Sequence, residues 1–177
     1  MNGSFDTFIQ KIIIGVVGLQ PSLVWPRWQP EPAPQPDISV NWCAIGVADV
    51  EGDNDPYFEQ QDDVTTMKRH EVVEILCTFY GPNCIENASL LRDGLDVMQN
   101  REQLFLANMG LVEIGRIVNA SELINERWYR RCDLSLIVRR EVIRDYAIMK
   151  LLSAGGNIVT DNDPQIDIAW STLNVQP

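Results

Sequence analysis

The chain has 177 residues, 45% apolar and 22% charged, and carries a formal charge of -11. That length accommodates one domain, or one domain with an extended arm, and a real core. The acidic balance excludes general nucleic-acid binding, because neutralising phosphates needs a clustered basic surface.

Residues 1–20 read as an amphipathic helix. Phe5, Phe8, Ile9, Ile12, Ile13 and Val16 recur at helical spacing, Ser4 is an N-cap candidate, and Gly18 and Pro21 mark the exit. The apolar run 12–19 is too short to span a bilayer, and a single Lys11 beside Asp6 makes no signal n-region. Docking is the expected role, with no membrane partner. Residues 21–38 are a Pro-rich arm, extended or PPII-like, with Trp25 and Trp28 as apolar anchors. Such an arm lies either on its own domain or on a neighbouring subunit.

Two strand-like runs follow, 39–51 and 64–80, and the turn-rich segment between them makes a long hairpin. Asp49, Glu51, Asp53, Asp55, Glu59, Asp62 and Asp63 make the connection acidic with no intervening base, a mobile acidic loop. It departs from the calcium-loop pattern, and DNDP, present at 53–56 and again at 161–164, is ordinary turn chemistry. Ile85, Leu90, Leu91, Leu95 and Met98 then recur at helical spacing over 83–99, and 101–109 continues or forms a shorter helix. Residues 111–118 read as a short strand and 121–125 as a turn or single helical turn. From Trp128 onward Cys132, Leu134, Leu136, Val138 and Val142 alternate with mostly polar residues, the period-two pattern of a strand with one face on a core. Trp128 itself is expected in the core ahead of an interface.

Helices set between antiparallel-looking strands predict an α+β fold: a mainly antiparallel sheet of about four strands, flanked by two or three helices. The organisation is a helix (1–20), an arm (21–38), the main domain (39–160) and a tail (161–177).

Cys43, Cys77, Cys84 and Cys132 form no CxxC pair and His70 is the only histidine, which argues against a zinc site and for reduced thiols made in a cytoplasm-like compartment. No nucleophile motif accompanies His70, no phosphate-binding loop is present, and no cofactor is expected. The chemistry lies elsewhere. Of the fourteen Lys and Arg, only Lys11, Lys68 and Lys150 are lysine, and Arg is favoured for planar pairing with carboxylates at interfaces. Arginines and acids interleave from 113 to 145, which suggests self-assembly; a solvated sheet face with weak intrachain ion pairs is the plainer alternative.

Over 39–160 the chain resembles the phage neck or tail terminator family, the head-to-tail connector proteins of tailed phages. The resemblance is carried by Gln99-Asn100-Arg101-Glu102, Gly115-Arg116-Ile117, Glu122-Leu123, Glu126-Arg127-Trp128 and Arg139-Arg140-Glu141-Val142. It implies a structural virion protein, assembled in the host cytoplasm, that forms a homo-oligomeric, usually hexameric, ring. The ring would cap the tail tube and join it to the connector beneath the portal, leaving a channel through which genomic DNA passes without specific binding. A stopper, adaptor or tail-tube protein is the alternative, and a metal-dependent hydrolase a distant third. On this reading the subunit contacts are Arg127, Trp128, Arg130, Arg139, Arg140, Glu141 and Arg144, with Trp25 and Trp28 docking the arm. Glu51, Asp53, Asp55, Glu59, Asp62 and Asp63 would face the lumen or an adjacent ring, where acid repels DNA phosphates.

Overall fold

The computed structural model describes residues 2–31, 33–124, 126–149, 155–158 and 168–171. The chain divides into two compact units, 1–57 with 68–143, and 58–67 with 144–177.

The first unit is built on two 17-residue strands, β4 (Val64–Tyr80) and β9 (Arg131–Ala147), of which the parts 68–80 and 131–143 lie in it. They sit side by side in a seven-stranded, mostly antiparallel sheet whose main path runs β1-β2-β4-β9-β5. β2 (Trp42–Gly52) pairs with β4 from Trp42↔Tyr80 to Gly52↔Glu71, with a bulge between Val47 and Asp49. β5 (Met109–Ile114) and the two-residue β6 (Val118–Asn119) pair with β9. The anticipated strands are there; the short β1, β3 and β6 enlarge the sheet beyond about four.

Period-two patterning does what it predicts. Cys132, Leu134, Leu136 and Val138 of β9 and Val73, Ile75, Cys77 and Phe79 of β4 are buried on one face. α1 (Asn2–Val17) and α2 (Cys84–Asp96) contribute to the same core through Ile9, Ile12 and Ile13, and through Ala88, Leu91 and Leu95. Burying a Leu or Ile side chain contributes roughly 1.5–3 kcal/mol, so this shared face is the main source of cohesion. The two helices pack directly on each other. Gly94 permits it, since a Cβ there would run into the Val16 side chain. The first helix begins before Ser4, which is therefore not its cap.

Helix ends are closed by neighbours rather than by their own caps. The Asn83 N–H donates to Asn41 Oδ1 at 2.9 Å, and the Cys84 N–H to the Gly81 carbonyl at 3.2 Å. Val97 breaks the helical run with extended backbone before α3 (Met98–Leu106). Across that break Asn100 Nδ2 donates to the Gly94 carbonyl at 2.7 Å and Arg101 Nη2 to the Asp96 carbonyl at 3.0 Å, satisfying C-terminal carbonyls of α2.

The Pro-rich arm is partly docked in cis. After a 3-10 turn at Pro21–Leu23, β1 (Val24–Pro26) pairs parallel with β2, from Val24↔Cys43 to Pro26↔Ile45. Pro26 sits on an edge strand, where its missing N–H costs the ladder nothing. The segment expected to be only a loop between β2 and β4 contains a strand, β3 (Tyr57–Gln61), that turns back onto β4. The stretch 121–125 is likewise not a helical turn: Glu122–Ile124 is β7, paired antiparallel with β8 (Arg127–Tyr129) in a separate two-stranded sheet.

In the second unit the Thr66 hydroxyl donates to Asp145 Oδ1 at 2.7 Å and the Ile148 N–H to the Asp63 carbonyl at 2.9 Å. β10 (Gly155–Ile158) and β11 (Ile168–Ser171) pair antiparallel. The second DNDP tetrapeptide lies outside the described residues.

Candidate assembly surface

The β7–β8 hairpin is the most exposed apolar feature near the expected contacts. Leu123 and Trp128 stand directly opposite one another, 59% and 65% exposed, with Ile124 beside them. Trp128 is therefore not a core residue. Arg127 and Arg130 flank it and are exposed. The turn is tight, with Glu126 in the left-handed region at φ 63. A two-stranded hairpin alone is marginal in water. Here Arg131 Nη1 donates to Glu122 Oε1 at 2.6 Å, the Ala120 N–H donates to the Arg131 carbonyl at 2.9 Å, and the Ser121 hydroxyl donates to Asn119 Oδ1 at 2.7 Å.

Arg131 also ties the hairpin to the sheet. Its Nε and Nη2 donate to Asp133 Oδ1 and Oδ2 at 3.2 and 2.9 Å. Asp133 Oδ1 accepts from the Thr78 hydroxyl at 2.6 Å, and Thr78 Oγ1 accepts from Arg27 Nη2 of the arm. One polar chain thus runs from arm to β4 to β9 to hairpin. Burial pushes the Asp133 carboxyl up, but the Arg131 and Thr78 hydrogen bonds and the Arg131 and Arg27 charges outweigh it and hold the group below its ordinary value.

The expected contact residues divide by what they already hold. Arg140 is committed inside the chain: its Nε and Nη2 donate to Glu71 Oε2 at 3.0 and 2.8 Å, and its guanidinium lies 5.0 Å from the Phe5 ring centroid. Glu71 is only 6% exposed. Its desolvated carboxylate needs that partner. Arg139 and Glu141 are exposed, and with His70, Asn108 and Gly110 they line a cavity of about 500 Å³. Asp53 reaches toward this side, 3.6 Å from His70 Nδ1 and 4.0 Å from Arg139 Nη2. Arg144 is exposed on the stretch of β9 in the second unit.

Trp25 is half-buried, tilted against Trp42 with ring centroids 5.0 Å apart, and Trp42 stacks on Tyr80 at 4.0 Å. Trp28 turns away from that cluster at φ 54, lies over Gly46 and remains 68% exposed. Glu51, Asp53, Asp55, Glu59, Asp62 and Asp63 are exposed, and among the described residues no group of three or more potential ligands could hold a metal ion. No described helix is long and apolar enough to cross a membrane.

Leu123 and Ile124 escape a reading by residue class, because their burial depends on whether the hairpin lies down on the sheet. The signal available was two short apolar runs on either side of a polar turn.

Several motifs behind the resemblance are fold devices in this geometry. Asn100 and Arg101 close α2. A Cβ on Gly115 would stand 2.5 Å from Ser135 Oγ, while its N–H donates to the Ser135 carbonyl at 2.8 Å. Arg140 neutralises Glu71, and Glu126 makes the hairpin turn.

An α+β module whose distinctive residues order strands, helix ends and an exposed hairpin reads as a structural module. The model of the phage neck terminator protein family matches residues 4–163, and the chain belongs to that family. It is a structural, non-enzymatic protein of the virion neck with a tail-terminating role, in contact with other neck and tail components. No curated protein matches the chain.

Proposed function

We propose that copies of this chain close into a ring, of about six subunits, that ends the tail and leaves a channel for DNA. Closed rings use heterologous contacts, one patch on each subunit meeting a different patch on the next. The observation that carries the reading is the hairpin: a 65%-exposed Trp128 beside Leu123 and Ile124, rimmed by Arg127 and Arg130. Apolar centres with Trp and Arg and a charged rim are the anatomy of interfaces that hold. Arg139, Glu141 and Arg144 supply further charged contacts that fix register more than they add affinity. Arg140 supports them by anchoring β9. Trp28 extends the surface from the arm, while Trp25 holds the arm in place.

In the ring, Glu51, Asp53, Asp55, Glu59, Asp62 and Asp63 face the lumen or an adjacent ring, where their charge keeps DNA from adhering. The head connector or portal-proximal proteins lie on one side and the tail tube on the other.

Light scattering of the full chain, alone and with its connector, at two salt concentrations, tests the ring. The expected mass is that of about six subunits. Replacing Leu123 and Trp128 together by Ala is expected to shift the population to monomer while leaving the fold intact, since truncating a central Trp costs about 2 kcal/mol or more of binding. A persistent monomer in the presence of the connector overturns ring closure.

A further inference from the structure

The neck role makes no use of the thiols, yet two of them are placed for chemistry. Cys84 opens α2, Cys132 lies near the start of β9, and the Cys132 thiol donates to Cys84 Sγ at 3.1 Å. That is about 1 Å beyond the ~2.0 Å of a disulfide bond. We propose that Cys84 and Cys132 are a latent disulfide, open in a reducing cytoplasm and closed by a low-molecular-weight disulfide of the oxidised-glutathione class. This proposal stands apart from ring closure and survives its failure.

The two sulfurs differ in access. Cys132 is 0% exposed and Cys84 2%, but Cys84 forms part of the wall of a cavity of about 510 Å³ lined also by Asn83, Glu86, Asn119 and Arg130. Of the two residues only Cys84 borders that cavity, so the first exchange is assigned to Cys84. The Cys84 thiolate attacks one sulfur of the reagent, its S–S bond breaks, and one small thiolate leaves and takes up the proton that Cys84 released. Cys132 then gives up its proton and attacks Cys84 Sγ of the mixed disulfide, expelling the second small thiol. Two protein thiols are oxidised to one disulfide, and one small disulfide is reduced to two thiols.

Burial and the Cys84 partner push the Cys132 thiol up to about 12, so the second step is slow until local opening or the adjacent mixed disulfide brings it into reach. The remaining cysteines are internal controls. Cys43 and Cys77 are fully buried, and burial raises both thiols, Cys77 to about 12.

Closure would join positions 48 residues apart and enclose α2, α3, β5, β6 and the β7–β8 hairpin in one covalent loop. Shortening the unfolded chain in this way stabilises the fold, and stiffens the segment that presents Trp128.

The experiment treats the intact full-length protein with oxidised glutathione, quenches with acid, unfolds and alkylates it, and reads intact mass and tryptic peptides. The expected product lacks two hydrogens, contains a cross-linked pair of peptides bearing Cys84 and Cys132, and leaves Cys43 and Cys77 alkylated. Its melting temperature rises on the order of 5–10 °C, a rise absent in Cys84→Ala. Four alkylated cysteines after oxidation, a glutathione adduct that never resolves, or a bond between other cysteines each overturns the proposal.

Discussion

At the scale of single residues the fold depends on a few charges that could not be paired by inspection of the chain. Glu71 and Arg140 are 69 positions apart, and Thr78 and Asp133 are 55 apart. Both pairs follow from the adjacency of β4 and β9. Asp133 gives a pH-dependent prediction. Its carboxyl lies below the ordinary value of 3.8 in the folded state, so its contribution is fully present above about that pH. It is lost as the pH falls through the lowered folded value. Urea unfolding measured from pH 7 down to about pH 3 is therefore expected to show a steeper acid loss for the native chain than for Asp133→Asn. The variant costs about 1–3 kcal/mol at neutral pH, because Thr78 and Arg131 lose a charged acceptor. Equal acid slopes would remove Asp133 from the account. The interleaved arginines were legible as a class, and the alternation of β9 puts Arg140 on the even, core-facing side and Arg139 on the other. What was not legible is the partner, Glu71, 69 positions away.

At the scale of elements the strong periodicities were sound. The even positions of β9 from 132 to 138 and the apolar face of α1 lie where the pattern puts them, because burial on one face is a property each segment carries in its own spacing, whereas the α2–α3 break falls at Val97, inside the span 83–99 expected as one helix. Short elements were the ones misread. β3 and β7 lack long alternation, and what makes them strands is a partner supplied by β4 or β8. Trp128 illustrates the same limit: a large apolar residue is usually buried, and only the hairpin's departure from the main sheet leaves it outside. The α1–α2 contact offers a test. Gly94→Ala drives a methyl into Val16 and is expected to destabilise by about 1–3 kcal/mol, despite alanine's better helix propensity. Thermal melting of Gly94→Ala beside the double variant Gly94→Ala, Val16→Ala checks it, with partial rescue expected in the second.

For the whole molecule the governing quantity is charge. Each copy carries a formal -11, so in the proposed ring bringing copies together costs repulsion that the proposed hairpin and arginine contacts would have to exceed. Replacing Glu51, Asp53, Asp55, Glu59, Asp62 and Asp63 by Asn or Gln is expected to leave ring mass unchanged. It should slow DNA passage, read as delayed genome ejection and reduced infectivity. Unchanged assembly, ejection and infectivity together would remove the lumenal role. The sequence by itself determined the α+β class, the core faces of β9 and α1, and the family, because these rest on local spacing and on motifs contiguous in the chain; over 83–99 it misplaced part of the face, since Ile85, Leu90 and Met98 are exposed. Only the tertiary structure decided that Arg140 is spent on Glu71, that the arm's first strand lies on its own sheet, that Trp128 faces outward, and that Cys84 meets Cys132. The arm strand pairs with β2, Arg140 meets Glu71 across β9 and β4, and Cys84 on α2 meets Cys132 on β9; each joins residues distant in sequence, while Trp128 faces outward because its hairpin forms a sheet of its own.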